Sequence, residues 1–230
     1  MPRLPVLGDL QLEPPARLED SLRAEGEIGR FADVRLVLAR REEAGPFTIT
    51  GRIPGVTEAF GEKRRAVFVF GAGHVGRALI LALAPLPFDV TWADPRPDSF
   101  PGAMPQNVIG YGGDPLELVA TAPEATLVMV MSHSHALDLS IADAALRNSR
   151  IAHVGVIGSA TKRARFERRL REAGVKAARV EAMICPIGTG GIRSKLPAAI
   201  AVSVAAQLIT LDEALSARAT QGMLAARNAG

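Results

Sequence analysis

The stretch Ala66-Val67-Phe68-Val69-Phe70-Gly71-Ala72-Gly73-His74-Val75-Gly76-Arg77-Ala78-Leu79 decides the fold. It opens with a short apolar, partly β-branched run bounded by glycine, the pattern of a strand buried on both faces. Glycines at 71, 73 and 76 then fall in the spacing Gly-x-Gly-x-x-Gly, and a helical period runs from His74 to Leu83. Strand, glycine turn and helix in that order are the context in which this fingerprint binds phosphate. Gly71 permits the tight turn, Gly73 lets an anion approach the backbone, and Gly76 allows close packing of helix on strand. Free amides and the helix dipole attract anionic oxygens to the same spot.

The alternation repeats along the chain. Apolar runs predict further strands over Asp89–Ala93, Asn107–Tyr111, Thr126–Met131, His153–Ile157 and Glu181–Cys185, after a first at Ala66–Phe70. Segments of helical period lie at Pro115–Ala120, Ala136–Asn148, Ala160–Ala173 and Ser194–Ile209, with a terminal helix from Leu211 to Ala226. This pattern predicts an α/β fold, a Rossmann-like doubly wound and mostly parallel sheet over residues 63–230. Residues 1–62 read as a truncated or degenerate N-terminal region, a small β-hairpin appendage. Val34–Ala39 and Phe47–Arg52 would be its strands and Arg40–Gly45 its turn. So short a segment buries little surface alone.

Composition excludes several function classes. Hydrophobic residues make up 48% of the 230, enough for a large core, and a net charge of +3 is small. The densest basic run, Lys162–Arg171, lacks the interleaved aromatics that stack bases, so it reads as a solvated helix face and no nucleic-acid partner is expected. A single cysteine excludes an internal disulfide and a multi-cysteine zinc site. The apolar stretch Val67–Ala84 is broken by a glycine loop, His74 and Arg77, so no membrane span is expected there. Met1–Gly8 is broken by prolines and no apolar region follows, so no signal peptide is expected and the predicted location is the cytoplasm.

Nearly every predicted strand ends in a loop of unusual chemistry, and in a doubly wound sheet all those ends face one edge. Asp94 closes the second strand where a ribose-binding acid belongs, which together with the glycine turn allows NAD(P). His74, at the helix start, either donates to a ligand phosphate or stays apart from it. In Ser132-His133-Ser134-His135, with Asp138 beyond, three readings stay open: a capped loop, contact with a ligand, or a metal site. Gly158 and Ser159, followed by Lys162 and Arg163 in a first helical turn, suit a second anionic group. Cys185 is either a buried small hydrophobe or a thiolate at the crevice. It precedes the flexible segment around Gly188, after which Ser194 reads as a helix N-cap with Lys195 in the first turn.

Taken together, four segments resemble the C-terminal domain of the XdhC/CoxI family of accessory proteins for molybdenum hydroxylases. They are Phe70–Leu79, Ser132–Asp138, Gly155–Phe166 and Cys185–Gly188, and Ile192–Ala206 is similar to the family's closing helix. The resemblance implies a chaperone that transiently holds the molybdenum cofactor (molybdopterin), without turnover of its own. A cysteine desulfurase would install the terminal sulfur ligand, and a xanthine dehydrogenase-type apo-enzyme would receive the product; a homodimer is compatible with this. It also implies an N-terminal domain with a Gly-Thr-Ile-Gly-Gly-Gly segment, absent here, and a Gly-Gln-Cys-Cys-Gly-Gly tract. Gly29–Val34 is similar to an eroded remnant of that tract without its cysteines. The competing expectations are an NAD(P)-dependent oxidoreductase and a ligand-free regulatory or interaction module.

Overall fold

A computed structural model describes residues 34–35, 47–51, 57–60 and 64–228. The chain divides into two compact units, 1–63 and 64–230. In the first, β1 (Val34–Arg35), β2 (Phe47–Gly51) and β3 (Thr57–Phe60) form an antiparallel sheet in that order. The third strand was not expected from the sequence. The predicted turn at 40–45 lies outside the described residues, as do 36–39 and 29–33.

The second unit alternates strand and helix: β4 (Arg65–Phe70), α1 (His74–Leu83), β5 (Phe88–Ala93), β6 (Val108–Tyr111), α2 (Pro115–Ala120), β7 (Thr126–Val130), α3 (His135–Arg147), β8 (Ile151–Val156), α4 (Ala160–Glu172), α5 (Ala177–Glu181) and α6 (Pro197–Asn228). The five strands are parallel throughout and ordered β6-β5-β4-β7-β8. Strand order therefore reverses between β4 and β7, which makes the gap above their C-terminal ends the topological switch point, where such sheets bind ligands.

Alternate residues explain the layers. On β4 and β7, Val67, Val69, Leu127 and Met129 join a core with α1 and α6, whereas Phe68, Phe70, Val128 and Val130 join one with α2, α3 and α4. A period of 2 buried on both faces is what a central parallel strand requires. Three of the helices begin on side chains that suit the position. Asp114, Ser134 and Ser159 accept hydrogen bonds from Leu116 N, Leu137 N and Lys162 N.

Two expectations need correction. Glu181–Cys185 is not a sixth strand: α5 occupies Ala177–Glu181, and pairing shrinks to one bridge, in which Ile184 N donates to Val154 O and accepts, through its carbonyl, from Val156 N. Pro186 has no N–H with which to extend that ladder. Ser194 does not cap the last helix either. That helix starts at Pro197, a residue pre-set for a first turn, so Lys195 precedes it, and Ser194 Oγ only accepts from Leu196 N.

The two segments expected at the C-terminus fuse into α6, 32 residues and ~48 Å long at 1.5 Å per residue. Its mean hydropathy reaches 1.5, enough in length and composition for a membrane span, yet Ala201, Val204, Ala205 and Leu208 are buried against the sheet. Arg65, at the start of β4, donates to Asp212 (2.7 Å) and to Ser216 (3.3 Å). These bonds place the middle of α6 at the N-terminal edge of the sheet, opposite the switch point.

Candidate functional site

The glycine turn sits at the switch point, and two of its three glycines are sterically required. Gly71 has φ +118°, and a Cβ there would lie 2.3 Å from the carbonyl oxygen of Met131 at the end of β7. A Cβ on Gly76 would lie 2.0 Å from the carbonyl oxygen of Gly71, the atom that also accepts from Trp92 Nε1 at 3.1 Å. Gly73 differs. Nothing lies within 4 Å of the position its Cβ would take, and no side chain caps α1, whose first turn holds no acid. The first amides of α1 thus remain as donors beside open space, with exposed His74 next to them.

Asp94 organises this turn from below. It is 1% exposed, and its two oxygens accept from Ala72 N (2.7 Å), Arg96 N (3.1 Å), Arg96 Nε (2.9 Å) and Arg96 Nη2 (2.7 Å), while Ser99 Oγ, 3.2 Å away, is closer to the Arg96 carbonyl (2.7 Å). Burial alone would push its carboxyl up. The hydrogen bonds from the Arg96 side chain and from the Ala72 and Arg96 amides, with the guanidinium charge, outweigh that and hold it far below the usual carboxylate range. A carboxylate has about four lone-pair directions, and these four N–H donors occupy them, leaving none for a ribose hydroxyl. Beside it, Ala72, Arg77, Arg96, Pro97, Asp98 and Ser99 line a cavity of about 240 Å³. Arg77 spans it, donating to the carbonyls of Ala72 and Ser99.

The Ser-His-Ser-His loop follows β7, directly next to the glycine turn, since Met131 N donates to Phe70 O at 2.8 Å. Ser132 Oγ and Ser134 knit the loop internally. Asp138, fully buried, accepts from Ser132 N (3.0 Å) through one oxygen and from Lys162 Nζ (2.6 Å) through the other. Lys162, itself buried, also donates to Ile157 O and lies over the Phe166 ring, 5.1 Å from its centroid. The pair ties the loop after β7 to the helix after β8. Both imidazoles, His133 and His135, remain exposed, and among the described residues no three His, Cys, Asp or Glu side chains cluster as a metal site.

The cations expected to meet an external anion after β8 find their partners inside the chain. Lys162 is on Asp138, and Arg163 donates to Glu167 (2.7 Å) and to the carbonyls of Cys185 and Glu181. Gly158 makes room for this arrangement: a Cβ there would lie 2.7 Å from Lys162 Cδ and 3.2 Å from Cys185 Sγ. Cys185 is 2% exposed, with its thiol facing Ser159 O, and burial pushes its pKa up despite the nearby charges of Lys162 and Arg163. Such a thiol packs rather than attacks.

Beyond it, Gly188 (φ +104°) forms a reciprocal pair with Gln207 on α6. Its N–H donates to Gln207 Oε1 at 2.9 Å and its carbonyl accepts from Gln207 Nε2 at 3.1 Å. A Cβ on Gly188 would lie 2.5 Å from Ser203 Oγ. Residues 186–192 with Ser194, Ile200 and Ser203 line a second cavity, of about 270 Å³. Gly71, Gly73, His74, His133, His135, Gly158 and Ser159 thus share one sheet edge, and Asp94, Asp138, Lys162 and Cys185 lie beneath it. Lys195 stands exposed beyond this group. The residues that sequence reasoning missed are Arg77, Arg96, Ser203 and Gln207. Only Arg96, two positions from Asp94, carried a local signal.

Comparison with known proteins agrees with this architecture. The chain is 29% identical over 203 residues to the uncharacterized protein YqeB of Escherichia coli K12, covering 84% of this chain and 35% of that protein. It resembles in fold a Bacillus halodurans protein whose crystal structure is described as a xanthine dehydrogenase. That match has a TM-score of 0.57 and 22% identity, covering 69% of this chain and 45% of the other. The chain therefore spans about a third of the curated relative and under half of the solved one. Residues 67–208, from β4 into α6, match the XdhC Rossmann domain, and the chain belongs to that family.

Proposed function

We propose that this chain is an accessory protein that holds the molybdenum cofactor during its maturation and passes it to a xanthine dehydrogenase-type apo-hydroxylase. Membership of the XdhC Rossmann family supports the reading. The observation that carries it is the uncapped α1 N-terminus opening onto free space at Gly73, at the switch point between β4 and β7. Molybdopterin carries a phosphate, and a row of unshared amide donors with no Cβ in the way fits that group. When bound, the cofactor would supply a metal able to take a terminal sulfur ligand, for which a cysteine desulfurase would be the donor.

In this proposal the chain's own residues bind and shield. The amides of Gly73, His74 and Val75 hold the phosphate, and Gly71 and Gly76 keep the turn tight enough to aim them. His74, His133 and His135 donate to the ligand from the adjoining loops. Gly158 and Ser159 form the far wall, with Gly188 and Lys195 beyond. Asp94, Asp138, Lys162, Arg163 and Cys185 act beneath, holding the loops in place. Residues 1–62 stand as a degenerate N-terminal region beside this domain in the sequence. The saturation of Asp94 favours this reading over an NAD-dependent oxidoreductase, which needs that carboxylate for the ribose.

The test is to purify the chain from cells that make the cofactor and to assay released pterin fluorescence and molybdenum. The reading predicts both, in comparable molar amounts. Folded protein carrying neither would overturn it.

A further inference from the structure

With Lys162 and Arg163 engaged internally, a different cation faces the edge after β8. Along α4, Arg163 pairs with Glu167, Arg168 with Glu172, and Arg171 with Glu181 of α5. Arg165 has no carboxylate within ion-pair distance among the described residues. Its guanidinium reaches instead to α3, where Nη2 lies 2.9 Å from Nδ1 of His135. Three and four positions away on α4 stand Lys162, Arg168 and Arg169, the first two paired with Asp138 and Glu172, and Glu167, two positions on, is held by Arg163. Across from Arg165, the only acid in the first turn of α3 is Asp138, already taken by Lys162, and the first turn of α4 has none.

The chemistry of the contact fixes the imidazole. A guanidinium has five N–H donors and no acceptor, so Nδ1 of His135 must be the acceptor. The ring is then neutral with its proton on Nε2. An imidazole in that state has no lone pair left for a metal ion and presents one N–H donor. Two Ser-capped helix N-termini and an uncompensated guanidinium surround that donor with positive potential. We propose that Arg165 is a positioning residue that locks His135 as an Nε2–H donor, and that this donor receives a tetrahedral oxyanion, so that the Ser-His-Ser-His loop binds an anion and not a metal. Strands β4, β7 and β8 are successive neighbours, so this seat and the Gly73 amides lie at the same C-terminal edge of the sheet, over its two opposite faces. This deepens the cofactor reading by adding a second anchoring point.

Nitrogen-15 NMR of the imidazoles tests it on the purified full chain, with inorganic phosphate and Zn²⁺ as probes, so pterin content plays no part in the outcome. Wild type should show His135 as the Nε2–H tautomer, and phosphate should shift its Nε2 resonance while Zn²⁺ does not. Arg165→Lys, still a donor to Nδ1, should keep both properties. Arg165→Glu reverses the hydrogen bond: the carboxylate accepts from Nδ1–H and frees the Nε2 lone pair. That variant should lose at least tenfold in phosphate response and gain a Zn²⁺ response at His135. Trp92 fluorescence checks that each variant is folded. An Nδ1–H tautomer in wild type would overturn the proposal, as would equal phosphate responses in wild type and Arg165→Glu.

Discussion

Replacing Lys162 by methionine strands a carboxylate in the protein interior. Asp138 is 0% and Lys162 8% exposed, and their charged atoms are 2.6 Å apart. Both groups were stripped of water to make this contact, so the attraction between them is no measure of its net worth. Removing one partner leaves an uncompensated buried charge, at a cost of about 3–5 kcal/mol. Lys162→Met should therefore lose about that much unfolding free energy. Adding Asp138→Asn removes the stranded charge, and the amide oxygen can still accept from Ser132 N. What stays unpaired is the Ile157 carbonyl, at about 1–3 kcal/mol. The double variant should thus be more stable than Lys162→Met alone by about 2 kcal/mol, a second mutation that repairs the first. Urea unfolding followed through Trp92, buried and the sole tryptophan, measures this as a shift of midpoint at constant slope. A double variant no more stable than the single one would refute the reasoning, because the cost would then not come from an unpaired charge.

Gly76→Ala should destabilise by at least about 1–3 kcal/mol, because its Cβ meets the Gly71 carbonyl at 2.0 Å. Gly73→Ala, which meets nothing within 4 Å, should stay within about 0.5 kcal/mol of wild type in the same urea assay. Asp94 is depressed in the folded state, so its contribution is complete above the unfolded carboxyl value of about pH 3.9 and is lost as pH falls below it. Asp94→Asn should be less stable at pH 7 and lose less on acidification from pH 5 to pH 2, as thermal unfolding across that range would record. The native Cys185 thiol should react with a disulfide reagent at least 100-fold more slowly than after unfolding in urea, since burial both hides it and raises its pKa.

The central strand and its glycine turn were legible because several local signals agree. Val67 and Val69 bury on one face while Phe68 and Phe70 bury on the other, and Gly71 and Gly76 each meet a separate steric demand while Gly73 borders open space. Strand order could not be read, since no local pattern says that β7 lies beside β4. Most of the candidate residues gather at one edge of the sheet, but their contacts could not be read from the sequence. Asp138 and Lys162 are 24 positions apart, and only the adjacency of β7 and β8 makes one the counter-ion of the other. Asp94 looked like a ribose ligand because it ends β5, whereas Arg96 turns it inward to brace the glycine turn. The false strand at 181–185 arose from the alternating apolar residues Met183, Cys185 and Ile187, which are indeed buried, while the alanines at 177, 178 and 182 carried the helical preference. At the last helix, Pro197 was the better start signal than Ser194.

The cofactor reading rests on the amides beside Gly73, and that position can be filled without touching the fold. Wild type and Gly73→Glu, shown equally stable in urea, should be purified in parallel from cells that make the molybdenum cofactor, and their bound pterin quantified. The account predicts pterin on wild type and at least a tenfold drop in the variant, whose carboxylate would occupy and repel the phosphate's place. Equal pterin on both proteins, or none on either, would contradict it.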